Sequence, residues 1–164
     1  MGVALSSCGM FEKDLPQYPC PKVLILRDAG HLVRFKPGPG RDITDIQFEA
    51  ALANFKGTCK YVKGGVNIDL QIMIGVERGA AGKSSDVDFD YFVALPDYRP
   101  SPEGKKILPV HGQFQDNLTR LTYQDEVNMF LPLKNNATGP NHEVVLGFQL
   151  TPDELKYNRS RYRR

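Results

Sequence analysis

From Val66 to Val76 every even position is apolar: Val66, Ile68, Leu70, Ile72, Ile74 and Val76. Asn67, Asp69 and Gln71 stand between them. Successive side chains of an extended chain point to opposite faces, so this alternation predicts a strand with one face on a core and the other in water. Weaker copies of the pattern run through Ile46, Phe48, Ala50 and Leu52, through Tyr91, Val93 and Leu95, through Val127, Met129 and Leu131, and through Val144, Leu146, Phe148 and Leu150. Lys22-Val23-Leu24-Ile25-Leu26 is a continuous apolar run after its lysine and predicts a strand covered on both faces.

Turn-forming clusters separate these runs: Asp28-Ala29-Gly30, Pro37-Gly38-Pro39-Gly40, Lys63-Gly64-Gly65, Gly79-Ala80-Ala81-Gly82, Pro100-Ser101-Pro102 and Thr138-Gly139-Pro140. About seven to nine short strands so punctuated predict an all-β fold, an antiparallel β-sandwich with an immunoglobulin-like layout. Thr151-Pro152-Asp153-Glu154 offers an N-cap, a proline at the first helical position and an acidic first turn, so a short C-terminal helix closes the chain. The expected organisation is a leader over 1–19, made of a signal remnant and a tether, a β-sandwich domain over 20–158 and a basic tail over 159–164.

Composition changes this picture little. The chain has 164 residues, 41% hydrophobic and 24% charged, enough for one domain with a real core. No run approaches the roughly 18 apolar residues of a spanning helix. A net charge of +2 argues against a dedicated nucleic-acid partner.

The three cysteines carry more information. Val3-Ala4-Leu5-Ser6-Ser7-Cys8-Gly9 has the small-and-apolar pattern at which bacterial lipoprotein signals are cleaved, which predicts Cys8 as a lipidated N-terminus. The stretch before it has no Lys or Arg and is shorter than a complete signal. Either the export signal extends upstream of Met1, or Met1-Gly2 is a cloning remnant, or the match is fortuitous. Gly9 rather than Asp after Cys8 favours release to the periplasmic face of the outer membrane. With Cys8 assigned, Cys20 and Cys59 remain as a disulfide pair, a bond that persists in oxidising compartments.

Candidate chemistry is sparse. Gly82-Lys83-Ser84 follows a strand, but Glu77 stands where a phosphate-binding loop needs its first glycine. Asp86, Asp88 and Asp90 share one strand face and could contribute to a surface calcium site with Asp97. The EF-hand pattern fails at Tyr91, where glycine is required, and a solvated face is the plainer reading. His31, His111 and His142 have no metal-ligand spacing, and no nucleophile elbow is present, so no catalytic residue, metal or cofactor is expected. Arg159, Arg161, Arg163 and Arg164, with Lys156, Tyr157 and Tyr162 in the same stretch, form the only charge cluster and could bind an anionic partner.

Cys20-Pro21-Lys22-Val23-Leu24-Ile25-Leu26, Pro37-Gly38-Pro39-Gly40-Arg41-Asp42, Tyr91-Phe92-Val93-Ala94, Gly147-Phe148-Gln149-Leu150-Thr151 and Tyr157-Asn158-Arg159 together resemble an uncharacterised family of alphaproteobacterial envelope lipoproteins. The resemblance covers nearly all of the chain after Cys8. It implies one secreted domain with an N-terminal lipid and carries no activity with it. The expected function is therefore a non-enzymatic binding or scaffolding subunit of an envelope assembly, held to the membrane by its lipid. The alternatives are a lipid or small-molecule carrier, which needs an open apolar cleft, and a hydrolase using carboxylates such as Asp42, Asp45, Asp88 and Asp97, which needs two of them to converge.

Overall fold

The computed structural model describes residues 15–98, 101, 104–115 and 117–161. Over those residues eight strands form two four-stranded sheets. The first holds β1 (Lys22–Ile25), β5 (Asp86–Ala94), β6 (Lys105–Gln113) and β8 (Glu143–Phe148), in the order β1-β8-β5-β6. The second holds β2 (His31–Phe35), β3 (Ile46–Val62), β4 (Gly65–Arg78) and β7 (Arg120–Pro132), in the order β2-β3-β4-β7. The sandwich expected from the period-two pattern is present. It is antiparallel throughout, except that β1, the first strand, lies parallel to β8, the last. The two are far apart in sequence, so no tight hairpin constrains their direction.

The even positions of β4 face inward as the alternation requires, and Val66, Leu70, Ile72 and Ile74 are all at most 1% exposed. They pack against Val87, Phe89, Tyr91 and Val93 of β5 and Leu146 and Phe148 of β8. Fully burying each such side chain contributes about 1.5–3 kcal/mol. Phe89 centres an aromatic group, with ring centroids 5.5 Å from Phe148, 6.4 Å from Phe48 and 6.4 Å from Tyr123.

β3 is longer than its apolar pattern suggests, and the reason is a bulge. Even residues Ile46 to Leu52 face the core, and the register with β4 then slips between Leu52 and Asn54. Beyond the slip the odd residues Phe55, Cys59 and Tyr61 turn inward instead. One extra residue on one strand exchanges its faces. The strand ends in a two-residue turn, Lys63-Gly64, where Gly64 has the left-handed φ of 86° that such hairpins favour.

β1 is an edge strand rather than a fully covered one. Val23 and Ile25 still touch the main core, and Leu24 touches a small outer cluster of Phe92, Ala94 and Val145. The run Tyr91 to Leu95 is apolar at every position for the same reason, since both faces of β5 are covered there.

α1 (Pro152–Arg161) caps as expected: the Thr151 backbone N–H donates to Glu154 Oε2 at 2.8 Å and the Glu154 N–H donates to Thr151 Oγ1 at 3.3 Å. Glu154 is 8% exposed and meets Arg34 at 2.9 Å. Asn158, 2% exposed, donates from Nδ2 to the carbonyls of Asp28 and His31 at 2.9 and 2.8 Å, which ties the helix to the approach to β2. α1 runs through the expected boundary between residues 158 and 159, because Arg159 to Arg161 complete its last turn.

Candidate functional site

The cysteine pairing read from the sequence is present. Cys20 and Cys59 are bonded with their Cα atoms 5.7 Å apart. The bond joins the residue pair ahead of β1 to the far half of β3, so it ties one sheet to the other. It is one part of a larger clamp. The Gln17 side chain accepts from the Tyr61 N–H at 3.0 Å and donates to the Tyr61 carbonyl at 3.3 Å. Tyr61 Oη donates to the Pro19 carbonyl at 2.7 Å, and the Tyr18 and Tyr61 rings meet edge to face. The described part of the leader, residues 15–19, is therefore held along β3. β2 pairs only with Ile46 to Ala51, so among the described residues no strand covers the edge beyond, and Gln17 acts there as a strand residue would. Burial, with Tyr18 nearby, raises the pKa of Tyr61 above the ordinary phenol range. Cys8 lies outside the described residues.

Arg159 and Arg161 stand exposed on the last turn of α1, each beside a carboxylate. Arg159 Nε lies 3.1 Å from Asp28 and Arg161 lies 3.8 Å from Glu49. Arg163 and Arg164 lie outside the described residues. Arg159 also borders a trough of about 510 Å³ between α1 and the outer face of the first sheet. Leu26, Phe92, Leu150 and Leu155 give it an apolar floor, and Arg27 and Lys105 join Arg159 on its rim. Lys105 Nζ sits 4.3 Å from the centre of the Phe92 ring and donates to Gln149 Oε1 at 2.6 Å. Arg27, Lys105 and Arg159 thus bring three cationic side chains to the rim, beside Asp28. Neither Arg27 nor Lys105 was singled out by sequence. The available signal was the all-apolar run at Tyr91 to Leu95, which implies something built on the outer face of β5.

The carboxylates scatter. Asp42 and Asp45 cap the short 3₁₀ turn Ile43–Asp45, and Lys36, 2.7 Å from Asp45, holds that carboxyl below its usual range. Asp88 is 2.7 Å from His111, and Asp97 is 2.7 Å from His142. Asp86 accepts from Gln113 at 3.0 Å and from Ser84 at 3.2 Å. Asp86, Asp88 and Asp90 do share the outer face of β5, but among the described residues no three His, Cys, Asp or Glu side chains gather as a metal site would require. The Lys83-Ser84 loop runs into β5 and not into a helix. Among the described residues no helix is long and apolar enough to cross a membrane.

Comparison of the chain with protein-family models, with curated proteins and with solved structures finds no match in any of the three.

Proposed function

We propose that the chain is a lipid-anchored binding module of a bacterial envelope, resembling alphaproteobacterial envelope lipoproteins, that works without catalysis as an accessory or scaffolding subunit at the periplasmic face of the outer membrane. Its trough between α1 and the first sheet grips an acidic, apolar segment of a partner protein. The observation that carries this reading is the trough itself: three cations around an apolar floor, with Arg159 supplying a guanidinium suited to two-point carboxylate contact. The Cys20–Cys59 bond supports an oxidising address, and Cys8 supplies the anchor. Arg161 adds a further cation on the last turn of α1, and Arg163 and Arg164 follow it in the sequence. A tether of this kind raises the concentration of the module near its partner, so a shallow trough suffices for useful occupancy.

Intact mass spectrometry of the protein from its native membranes tests the address. The expected species starts at Cys8, carries acyl mass and lacks two thiol hydrogens. A chain starting at Met1 with no acyl group would refute the anchor. A photoreactive residue at Leu26 tests the trough: it should crosslink to one envelope protein, and Lys105→Glu with Arg159→Glu should abolish that crosslink.

A further inference from the structure

β6 and β7 are the outer strands of the two sheets on the same side of the sandwich, and a cleft of about 530 Å³ opens between them. Lys105 borders both this cleft and the trough, which otherwise share no lining residue. Its wall is mainly apolar and includes Leu95, Met129, Phe130 and Pro132. Two inward-phase positions mark it.

The first is Met129. On β7 the odd residues face the core, and Val127 and Leu131 are 1% and 0% exposed. Met129, between them and in the same phase, is only half-buried. The core is sealed on both sides of this position and open at it. Leu95, 2% exposed, lies at the bottom of the opening, and Phe130 stands beside it 48% exposed. The Tyr98 hydroxyl donates to the Pro132 carbonyl and closes one end.

The second is Lys106. The core-facing residues of β5, Phe89, Tyr91 and Val93, are in register with Val110, Leu108 and Lys106 of β6. Val110 is buried and Leu108 half-buried, as inward residues should be. Lys106, opposite the fully buried Val93, places a lysine stem where the pattern calls for a core side chain, and its exposed end reaches the mouth of the cleft. A lysine packs its methylenes on apolar surface and keeps its ammonium in water, which leaves a cation fixed at the rim of an apolar slot.

We propose that this cleft binds a free single-chain anionic amphiphile, with a carboxylate or similar monoanionic head at Lys106 and the apolar chain between Leu95 and Met129. Charge complementarity at Lys106 selects the head. The unbranched, polarizable Met129 side chain can adjust to a chain lying against it. The proposal rests neither on the lipid anchor nor on what the trough binds.

The full chain labelled with [methyl-¹³C]methionine, titrated with dodecanoate below its micelle-forming concentration, tests it. The Met129 methyl resonance should shift saturably while that of Met73, on the outer face of β4, stays in place. Lys106→Glu, at an exposed position, should weaken binding at least about tenfold, and dodecyltrimethylammonium should not shift Met129. An unmoved Met129 resonance would overturn the site and leave Lys106 as a guard against edge pairing. Equal shifts with the cationic amphiphile, or indifference to Lys106→Glu, would overturn the anionic selectivity and with it the proposal.

Discussion

The Tyr91 hydroxyl, on β5 of the first sheet, donates a 2.6 Å hydrogen bond to Oδ2 of Asp125, on β7 of the second. Asp125 occupies a core-facing position of an edge strand. A charge in that phase resists the addition of a further strand, because pairing would have to bury it against a new neighbour. Tyr91 is fully buried and answers the carboxylate from the opposite sheet, so the guard is kept without an orphaned charge.

This bond sets an alkaline limit. Burial first, then the bond to Asp125 and its charge, raise the Tyr91 pKa far above the ordinary phenol value of about 10. The folded chain therefore keeps a proton that the unfolded chain releases. The contribution is complete below about pH 10 and is lost as pH rises beyond it. Urea titrations between pH 8 and 11.5 should show a plateau and then a decline. Tyr91→Phe should flatten that decline while costing about 1–3 kcal/mol at neutral pH, since Asp125 loses its partner. An equal decline in the variant would assign the effect to other tyrosines such as Tyr61 and Tyr123.

Reduction should loosen the chain at the leader first. The Cys20–Cys59 bond closes a sequence separation of 39 residues, and the chain-entropy relation gives about 4 kcal/mol for a loop of that size. Cys59→Ser should lose stability of that order in urea. In hydrogen exchange the Tyr61 amide, which donates to Gln17, should lose protection more than amides in the centre of β4. Uniform loss across the sandwich would contradict a local clamp.

Asn158 holds α1 down. Asn158→Ala removes the donor for two backbone carbonyls and should cost about 1–3 kcal/mol, with α1 amides exchanging faster than those of β8. Thr151→Ala, which removes only the cap, should cost about 1 kcal/mol. The reverse order of the two costs would argue that the helix is held by its cap and not by its docking.

Tyr123 offers an opposite case. Its hydroxyl is buried without a hydrogen-bond partner among the described residues, and a side-chain carbon added at Gly112 would fall directly on it. Tyr123→Phe should be neutral or stabilising by up to about 1 kcal/mol, because an unpaired buried polar atom is removed. Gly112→Ala should be strongly destabilising in the original chain and less so in the Tyr123→Phe background. Thermal melts of the two single variants and the double variant would show whether the effects couple in this way.

How far the sequence is legible follows from the same particulars. β4 could be read because its outward residues Asn67, Asp69 and Gln71 are uniformly polar against an unbroken apolar face. The far half of β3 could not, because the bulge reverses its phase and because Gly57 and Cys59 thin its inward face. β6 shows no alternation: its inward phase includes Lys106 and Gly112, and Pro109 interrupts it. The disulfide could be read from counting, once Cys8 had another assignment. The trough and the cleft could not, since Arg27, Phe92, Lys105 and Arg159 meet only through sheet order, and Lys106 means little until its register with Val93 is known.

The parallel pairing of β1 with β8 has a mechanical consequence. The leader enters at the start of β1 and α1 leaves after the end of β8, so tension between them pulls two parallel neighbours in opposite directions along their length. Their hydrogen bonds are then loaded together in shear and do not open one after another. The Cys20–Cys59 bond carries part of the load directly into β3, in the other sheet. A chain arranged in this way passes a pull from one end to the other as a stiff strut.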